Sequence, residues 1–433
     1  MNFLQTGRFY VVGAMLGFTT LLANAQETPS PARSLDALVA EALENNPELK
    51  FYEAEIAAAQ AGRRTAGQLG NPEISGEVGH KRMTDTGFAG EGVAWSVSVV
   101  QPFEWPGRLS LRKAIANQDL QLAELGQQRF RAALVGRIRT LGYGLFAAQE
   151  KSVAAAEVAS RFKALREVLL QRDPSGLTPL LETRIIEATE LNAERKATET
   201  TLRREAALLE LNQLRGAAPN APLTVTAVPL NFSAAENVAE LLARAHTNNF
   251  ELRARELELA QQGWREDLAK NERYPTLRIG PAYSEENAGN EKERVLSVGV
   301  SLPLPLWNRN QGEIGVARAR RLQAETALEV AERDLQRQVI AAARVYETKV
   351  REMEKWRPDS VQHFKAAAEL ADRHYRLGAV PISTYVELQK QYLEAVESLL
   401  DTKLEALEAA AQLELLTGLP TPLVQAQTAE GTK

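Results

Sequence analysis

At 433 residues the chain has room for more than one core, yet it carries no cysteine, which excludes a disulfide framework, thiolate metal sites and a lipid-acceptor cysteine. Its 51 Lys and Arg stand against 56 Asp and Glu, a net charge of -5 that argues against nucleic acid as a partner. Aromatic residues make up only 6%, and the abundance of Ala, Leu, Glu, Arg and Gln points to very long helices.

In chain order, Arg8 precedes an apolar run from Phe9 to Ala23, and Ala23-Asn24-Ala25 supplies a small-residue cleavage site. This is the pattern of a secretory signal peptide over residues 1–25, with the mature chain starting near Gln26. No later stretch reaches the roughly 18 to 20 uninterrupted apolar residues that a membrane helix needs. Entry into a membrane therefore has to be as strands.

The remainder is duplicated. LVAEALENNPELKFYEAEIAAA from Leu38 recurs as LLARAHTNNFELRARELELAQQ from Leu241, so that Asn45-Asn46 matches Asn248-Asn249 and Pro72 matches Pro275. WSVSVVQPFEWPGR (Trp95 to Arg108) aligns with LSVGVSLPLPLWNR (Leu296 to Arg309). Phe162-Lys163-Ala164 matches Phe364-Lys365-Ala366, Gly176 and Pro179 match Gly378 and Pro381, and Gly216 matches Gly418. The predicted organisation is a first repeat over 26–235, a second over 236–420 and a flexible tail over 421–433.

Each repeat predicts a short helix (about 35 to 46, and 237 to 248) followed by a longer one that stops before Asn71-Pro72 or Tyr274-Pro275, because the residue preceding proline is pushed out of the helical region. Two strands follow, within about 72–103 and 275–304. Ile74, Val78, Trp95, Val97 and Val99 alternate with Ser75, Glu77, Ser96 and Ser98; Leu277, Ile279, Tyr283, Leu296, Val298 and Val300 alternate with Arg278, Ser284, Ser297, Gly299 and Ser301. The polar stretches Met83–Gly92 and Glu285–Glu293 read as hairpin tips. A helix of about sixty-five residues then starts near Gly107 or Asn310, on the order of 100 Å long, and its partner returns from Pro179 or Pro381. Val339, Tyr346 and Met353, and Val386, Leu393, Leu400 and Leu407, fall at heptad steps and predict the seam of helices packed lengthwise. The linker Ala217–Ala235 predicts a small strand at Leu223–Val228.

Four strands cannot close a barrel, and an open edge in lipid leaves backbone groups unsatisfied, so the missing strands have to come from other copies. Two copies give eight strands and a filled interior, whereas three give twelve and a lumen. The competing reading is a soluble coiled-coil scaffold with ordinary hairpins. P-loop, H-E-x-x-H and G-x-S-x-G patterns are absent from the sequence, and the pair Asp359 and His363, one helical turn apart, lacks a third ligand nearby. No catalytic, cofactor-binding or metal-ligating residue is expected.

These residues resemble the TolC-like outer-membrane efflux proteins, and within them the CzcC-like and CusC-like heavy-metal branch. The resemblance covers the whole mature chain. It rests on PLPLWNRNQG (Pro303–Gly312) with its weaker copy QPFEWPGR, on YRLGAVPISTYVELQ (Tyr375–Gln389), and on QLELLTGLP (Gln412–Pro420). It implies a homotrimer with a twelve-stranded outer-membrane β-barrel and a periplasmic α-barrel, a passive duct for heavy-metal cations. It also implies a periplasmic adaptor and an inner-membrane RND transporter as partners. Pro102, Pro106, Pro303 and Pro305 mark the strand-to-helix crossing, where a missing N–H is tolerated. Gly176, Pro179, Gly378 and Pro381 mark the helix tips that dock the adaptor. Glu182, Thr384 and Glu387 stand where the family lines its narrow entrance, and Tyr375 matches its gate tyrosine; Val380 and Thr384 replace a basic and an acidic residue of the family pattern. A TolC-like duct for drugs or secreted proteins is the alternative that the resemblance leaves open.

Overall fold

The computed structural model describes residues 32–85, 88–172, 180–226, 230–288, 291–357, 359–418 and 423–426. The expected signal peptide, Gly176 and Pro179 lie outside the described residues. The first repeat comprises α1 (Leu35–Asn45), α2 (Pro47–Ala66), β1 (Glu73–Asp85), β2 (Phe88–Phe103), α3 (Arg108–Arg172) and α4 (Leu180–Leu214). After β3 (Leu230–Phe232), the second comprises α5 (Val238–Asn248), α6 (Phe250–Asn271), β4 (Leu277–Ala288), β5 (Glu291–Ser301), α7 (Gln311–Glu354), α8 (Ser360–Arg376) and α9 (Ile382–Thr417), followed by β6 (Val424–Ala426).

One asparagine explains the opening of each repeat. Asn46 ends α1 in an extended conformation that caps α2: its Oδ1 accepts from Glu48 N at 2.8 Å and its Nδ2 donates to Leu214 O at 2.7 Å. Asn249 does the same for α6, with Leu252 N at 3.0 Å and Leu416 O at 2.8 Å. Each therefore satisfies an orphan donor at one helix start and an orphan carbonyl at another helix end. This ties α4 and α9 to the entrance of their own repeats.

Three apolar cores form among the long helices, the first and third at matching positions of the two repeats and the second toward the tips. Leu38, Ile138, Leu211 and Leu407 belong to the first, Phe162, Ile186, Tyr385 and Tyr392 to the second, and Leu241, Val339, Tyr346 and Leu413 to the third. Gly142, within a Gly-Tyr-Gly that reads as a fragment of a loop, lies inside α3, where a Cβ would stand 2.7 Å from Leu35 Cδ2; the missing side chain admits α1 against α3.

Several expectations need correction. The strands run to Asp85 and Ala288 and resume at Phe88 and Glu291, so the hairpin tips are far shorter than their polar composition predicts. Cross-strand ion pairs, such as Arg82 Nε with Glu91 Oε1 at 3.0 Å and Arg294 Nε with Glu285 Oε2 at 3.0 Å, let charged residues sit in strand. The long helix of the second repeat is two helices, α7 ending at Glu354 and α8 starting at Ser360, around Arg357-Pro358, where proline restricts its predecessor. Val225 makes only an isolated bridge with Arg33; the linker strand is β3, displaced toward the repeat junction, and it pairs with β6 inside the expected tail. Tyr346 Oη lies 2.7 Å from Ser233 O and 3.1 Å from Leu423 O and pins that strand pair to α7; burial raises its pKa to about 12. In α9 the fully buried seam is Tyr385, Tyr392, Ala406 and Leu413, one residue before the predicted set, of which only Leu407 is buried and Val386, Leu393 and Leu400 flank it.

The alignment of the crossings also shifts. Strand pair Ser75–Ser98 is matched by Arg278–Ser301, both partners displaced by the same interval as Asn46 to Asn249. The left-handed residues before the two long helices, Gly107 (φ 90) and Asn310 (φ 59), keep that interval. The structural counterpart of Val97 is thus Val300, and that of Pro102 is Pro305, two residues on from the sequence match. Repeated small and apolar residues in the strands obscure the register, which hydrogen bonding fixes.

Candidate functional site

The four long strands form one antiparallel sheet in the order β1-β2-β4-β5. Its register places Ile74, Val78, Val93, Trp95, Val97, Val99, Leu277, Ile279, Tyr283, Leu296, Val298 and Val300 on one face. The opposite face carries Ser75, Glu77, Ser96, Ser98, Ser284, Ser297, Gly299 and Ser301. Among the described residues no helix covers the apolar face: Val78 is 82% exposed and Leu296 80%. From Val93 to Phe103 the band spans about 33 Å along the strand, or roughly 25 Å at the tilt of a membrane barrel. The outer edges of β1 and β5 have no strand partner among the described residues.

At the base of the sheet, Pro102 lies in β2 opposite Arg278, and Pro106 O accepts from Asn271 Nδ2 at 3.0 Å. Arg108 opens α3 and donates to Asn271 Oδ1 (3.2 Å), Asn271 O (3.2 Å), Tyr274 O (2.7 Å) and Thr276 Oγ1 (3.1 Å), while the Trp105 ring stacks on Tyr274 at 4.7 Å. The first crossing is thus clamped onto the α6–β4 junction of the second repeat. Sequence reasoning singled out the prolines and missed this arginine, although Arg108 closes the duplicated segment. Pro303 and Pro305 lie in a stretch outside helix and strand, turned at Pro305 where Leu306 N donates to Leu304 O at 2.9 Å; Leu302, Leu304, Leu306 and Trp307 are exposed there, the tryptophan 91%.

The far end of the molecule is about 100 Å away along α3. There α8 ends in a Schellman turn: Gly378 takes φ 74, its N–H donates to Tyr375 O at 2.9 Å, and Ala379 N donates to His374 O at 2.9 Å. Pro381 then starts α9, and Thr384 N donates to Pro381 O at 3.1 Å. Tyr375 stacks on Tyr385 with ring centroids 5.4 Å apart, and Tyr385 packs on Phe162 of α3, also at 5.4 Å. Burial raises the Tyr385 phenol above its usual range. Fully buried Gln389 donates to Ala368 O (2.8 Å) and accepts from Arg161 (3.2 Å), joining α3, α8 and α9; its place in the YVELQ motif was the available signal. Thr384 and Glu387 are exposed and Glu182 is half-buried in the first turn of α4. His363 Nε2 and Asp359 Oδ2 are 3.0 Å apart on the surface; no group of three metal-ligating side chains occurs among the described residues. Nor is any helix among them long and apolar enough to cross a membrane.

The chain is similar over 90% of its length to the solved CusC channel, at 15% identity and a TM-score of 0.70, covering 93% of that chain. A membrane protein from Pseudomonas aeruginosa gives a TM-score of 0.72 at 19% identity, covering 89% of this chain and 90% of the other. The Campylobacter jejuni CmeC outer membrane channel gives 0.69 at 15% identity, covering 95% and 94%. Curated protein sequences give no match. The profile of outer membrane efflux proteins matches residues 38–217 and again 241–419, so the duplicated chain belongs to the outer membrane efflux protein family.

Proposed function

We propose that three copies of this chain close their sheets into a twelve-stranded barrel in the outer membrane of a Gram-negative bacterium, with the helices forming a periplasmic duct. The observation that carries the reading is the open four-stranded sheet, apolar on one face and bare at both edges. In lipid those edges are unsatisfied unless neighbouring copies complete them. The duct acts passively, as the exit of a tripartite system with an RND transporter and an adaptor that docks at the tips around Gly176, Pro179, Gly378 and Pro381. Residues 1–25 direct export and are removed.

Heavy-metal cations are the proposed cargo. The crossing PLPLWNRNQG and the carboxylates Glu182 and Glu387 support this, because threefold rings of carboxylate attract cations. The family as a whole admits a second reading, a duct for other efflux cargo. Purified protein in a planar bilayer should conduct and should migrate as a trimer in detergent; a stable monomer without membrane association rejects the channel. Cells with the transporter intact and this chain deleted should gain sensitivity to heavy metals, and sensitivity to dyes and detergents alone would favour the second reading. The double variant Glu182→Gln/Glu387→Gln should lower cation selectivity, read as a shift of reversal potential in a salt gradient.

A further inference from the structure

For the pairing of the sheet's bare edges the chain itself supplies a template. Within one copy, the second strand of the first hairpin pairs with the first strand of the second hairpin: Ser98 faces Ala282, Gln101 faces Ile279, Pro102 faces Arg278 and Phe103 faces Leu277. The same junction between copies would join β5 to the β1 of a neighbour. The interval that relates Ser75–Ser98 to Arg278–Ser301, Asn46 to Asn249 and Gly107 to Asn310 converts each residue of the template into its counterpart. Ser98 becomes Ser301, and Ala282 becomes Gly79. Gln101, Pro102 and Phe103 become Leu304, Pro305 and Leu306, and their partners become Gly76, Ser75 and Ile74.

We infer that β5 lengthens through Leu306 on assembly and pairs with β1 of the next protomer, with Ser301 opposite Gly79 and Leu306 opposite Ile74. This rests on the trimeric barrel proposed above. Three features of the single chain fit it. In the single chain β5 ends at Ser301 and residues 302–305 lie outside any helix or strand, with Leu302, Leu304 and Leu306 all exposed and a tight turn at Pro305, Leu306 N donating to Leu304 O at 2.9 Å, that the pairing would open. On assembly these leucines join the face that carries Val298 and Val300, which extends the apolar band at its base. The register also puts Leu302, Leu304 and Leu306 on the face of Ile74 and Val78, and Ser297 and Ser301 on the face of Ser75, whereas a slip of one residue would invert one strand. Proline at 305, like Pro102 in the template, stands where β2 itself tolerates a missing donor.

The register separates cleanly from its neighbours. The sequence alignment of the two crossings would instead place Ser301 opposite Glu77, a shift of two residues that keeps the faces correct. Directly opposed residues have Cα atoms about 4.5 to 5.5 Å apart, within disulfide reach, whereas a partner two residues away is about 7 Å or more distant. The chain has no cysteine, so introduced pairs report without background. A Cβ at Gly79 meets nothing within 4 Å, which makes the site tolerant.

The full chain carrying Ser301→Cys and Gly79→Cys, oxidised in outer membranes and run on a non-reducing gel, should give a reducible covalent trimer. Ser301→Cys with Glu77→Cys, and either single variant, should not. If the first pair disturbs insertion, Ser297→Cys with Met83→Cys tests the same register. Stronger cross-linking through Glu77 or Lys81 than through Gly79 overturns the register, as does a native trimer in which neither expected pair cross-links. A chain that stays monomeric and unbound to membrane would instead overturn the proposed channel.

Discussion

At the scale of single residues, Asn249 does two jobs with one side chain, and neither is replaceable by an apolar residue. Asn249→Ala removes the cap of α6 and leaves Leu416 O without its donor, a loss of about 2 kcal/mol. Denaturant unfolding in detergent should show it, and Asn249→Asp should recover the cap alone. Glu414 makes a prediction of opposite sign. It lines a cavity of about 300 Å³ with Leu35, Arg139, Leu407 and Val424, and burial raises its pKa above the ordinary 4.5 despite Arg139 at 4.0 Å. The folded state therefore holds the proton more tightly than the unfolded chain, so stability falls as pH rises from 4.5 through the raised value. Glu414→Gln should raise the Tm at pH 7, and that gain should vanish below pH 4.5.

At the scale of elements, the crossing from sheet to helix depends on Arg108 more than on its prolines. Arg108→Ala should lower stability by roughly 2 kcal/mol, and Arg108→Lys should recover little, because a point charge cannot serve four acceptors in a fork. Thermal melting of the three proteins in detergent checks the order. The element pattern itself was legible from the chain wherever one physical signal dominated. The alternation around Val97, the prolines at 72 and 275 and the duplicated asparagines placed helices and strands to within a few residues. The sequence misled where two signals competed. Charged residues near Arg82 and Glu285 read as loop until their cross-strand partners were in view. The α9 seam was offset by one residue because Ala406 and Gln389 do not register as apolar knobs, although both are fully buried. Arg108 was invisible for another reason: its acceptors lie in the other repeat, and nothing local announces them.

At the scale of the whole molecule, the two repeats have the same plan but not the same mechanics. α3 is continuous for 65 residues, whereas its twin is divided between Glu354 and Ser360. Hydrogen exchange should therefore be faster at the amides of Lys355–Arg357 than at those of Val153–Ala155, which occupy the matching height in α3; equal rates would contradict a mechanical difference. The consequence reaches both ends of the duct. A continuous helix is a beam, and a displacement at its tip has to bend it all the way to the crossing that Arg108 clamps. A divided helix is a linkage that turns at its joint and leaves the crossing still. In the proposed trimer three beams would alternate with three linkages around the threefold axis, so that a twist of the duct would be taken up at three joints and not at the clamped crossings.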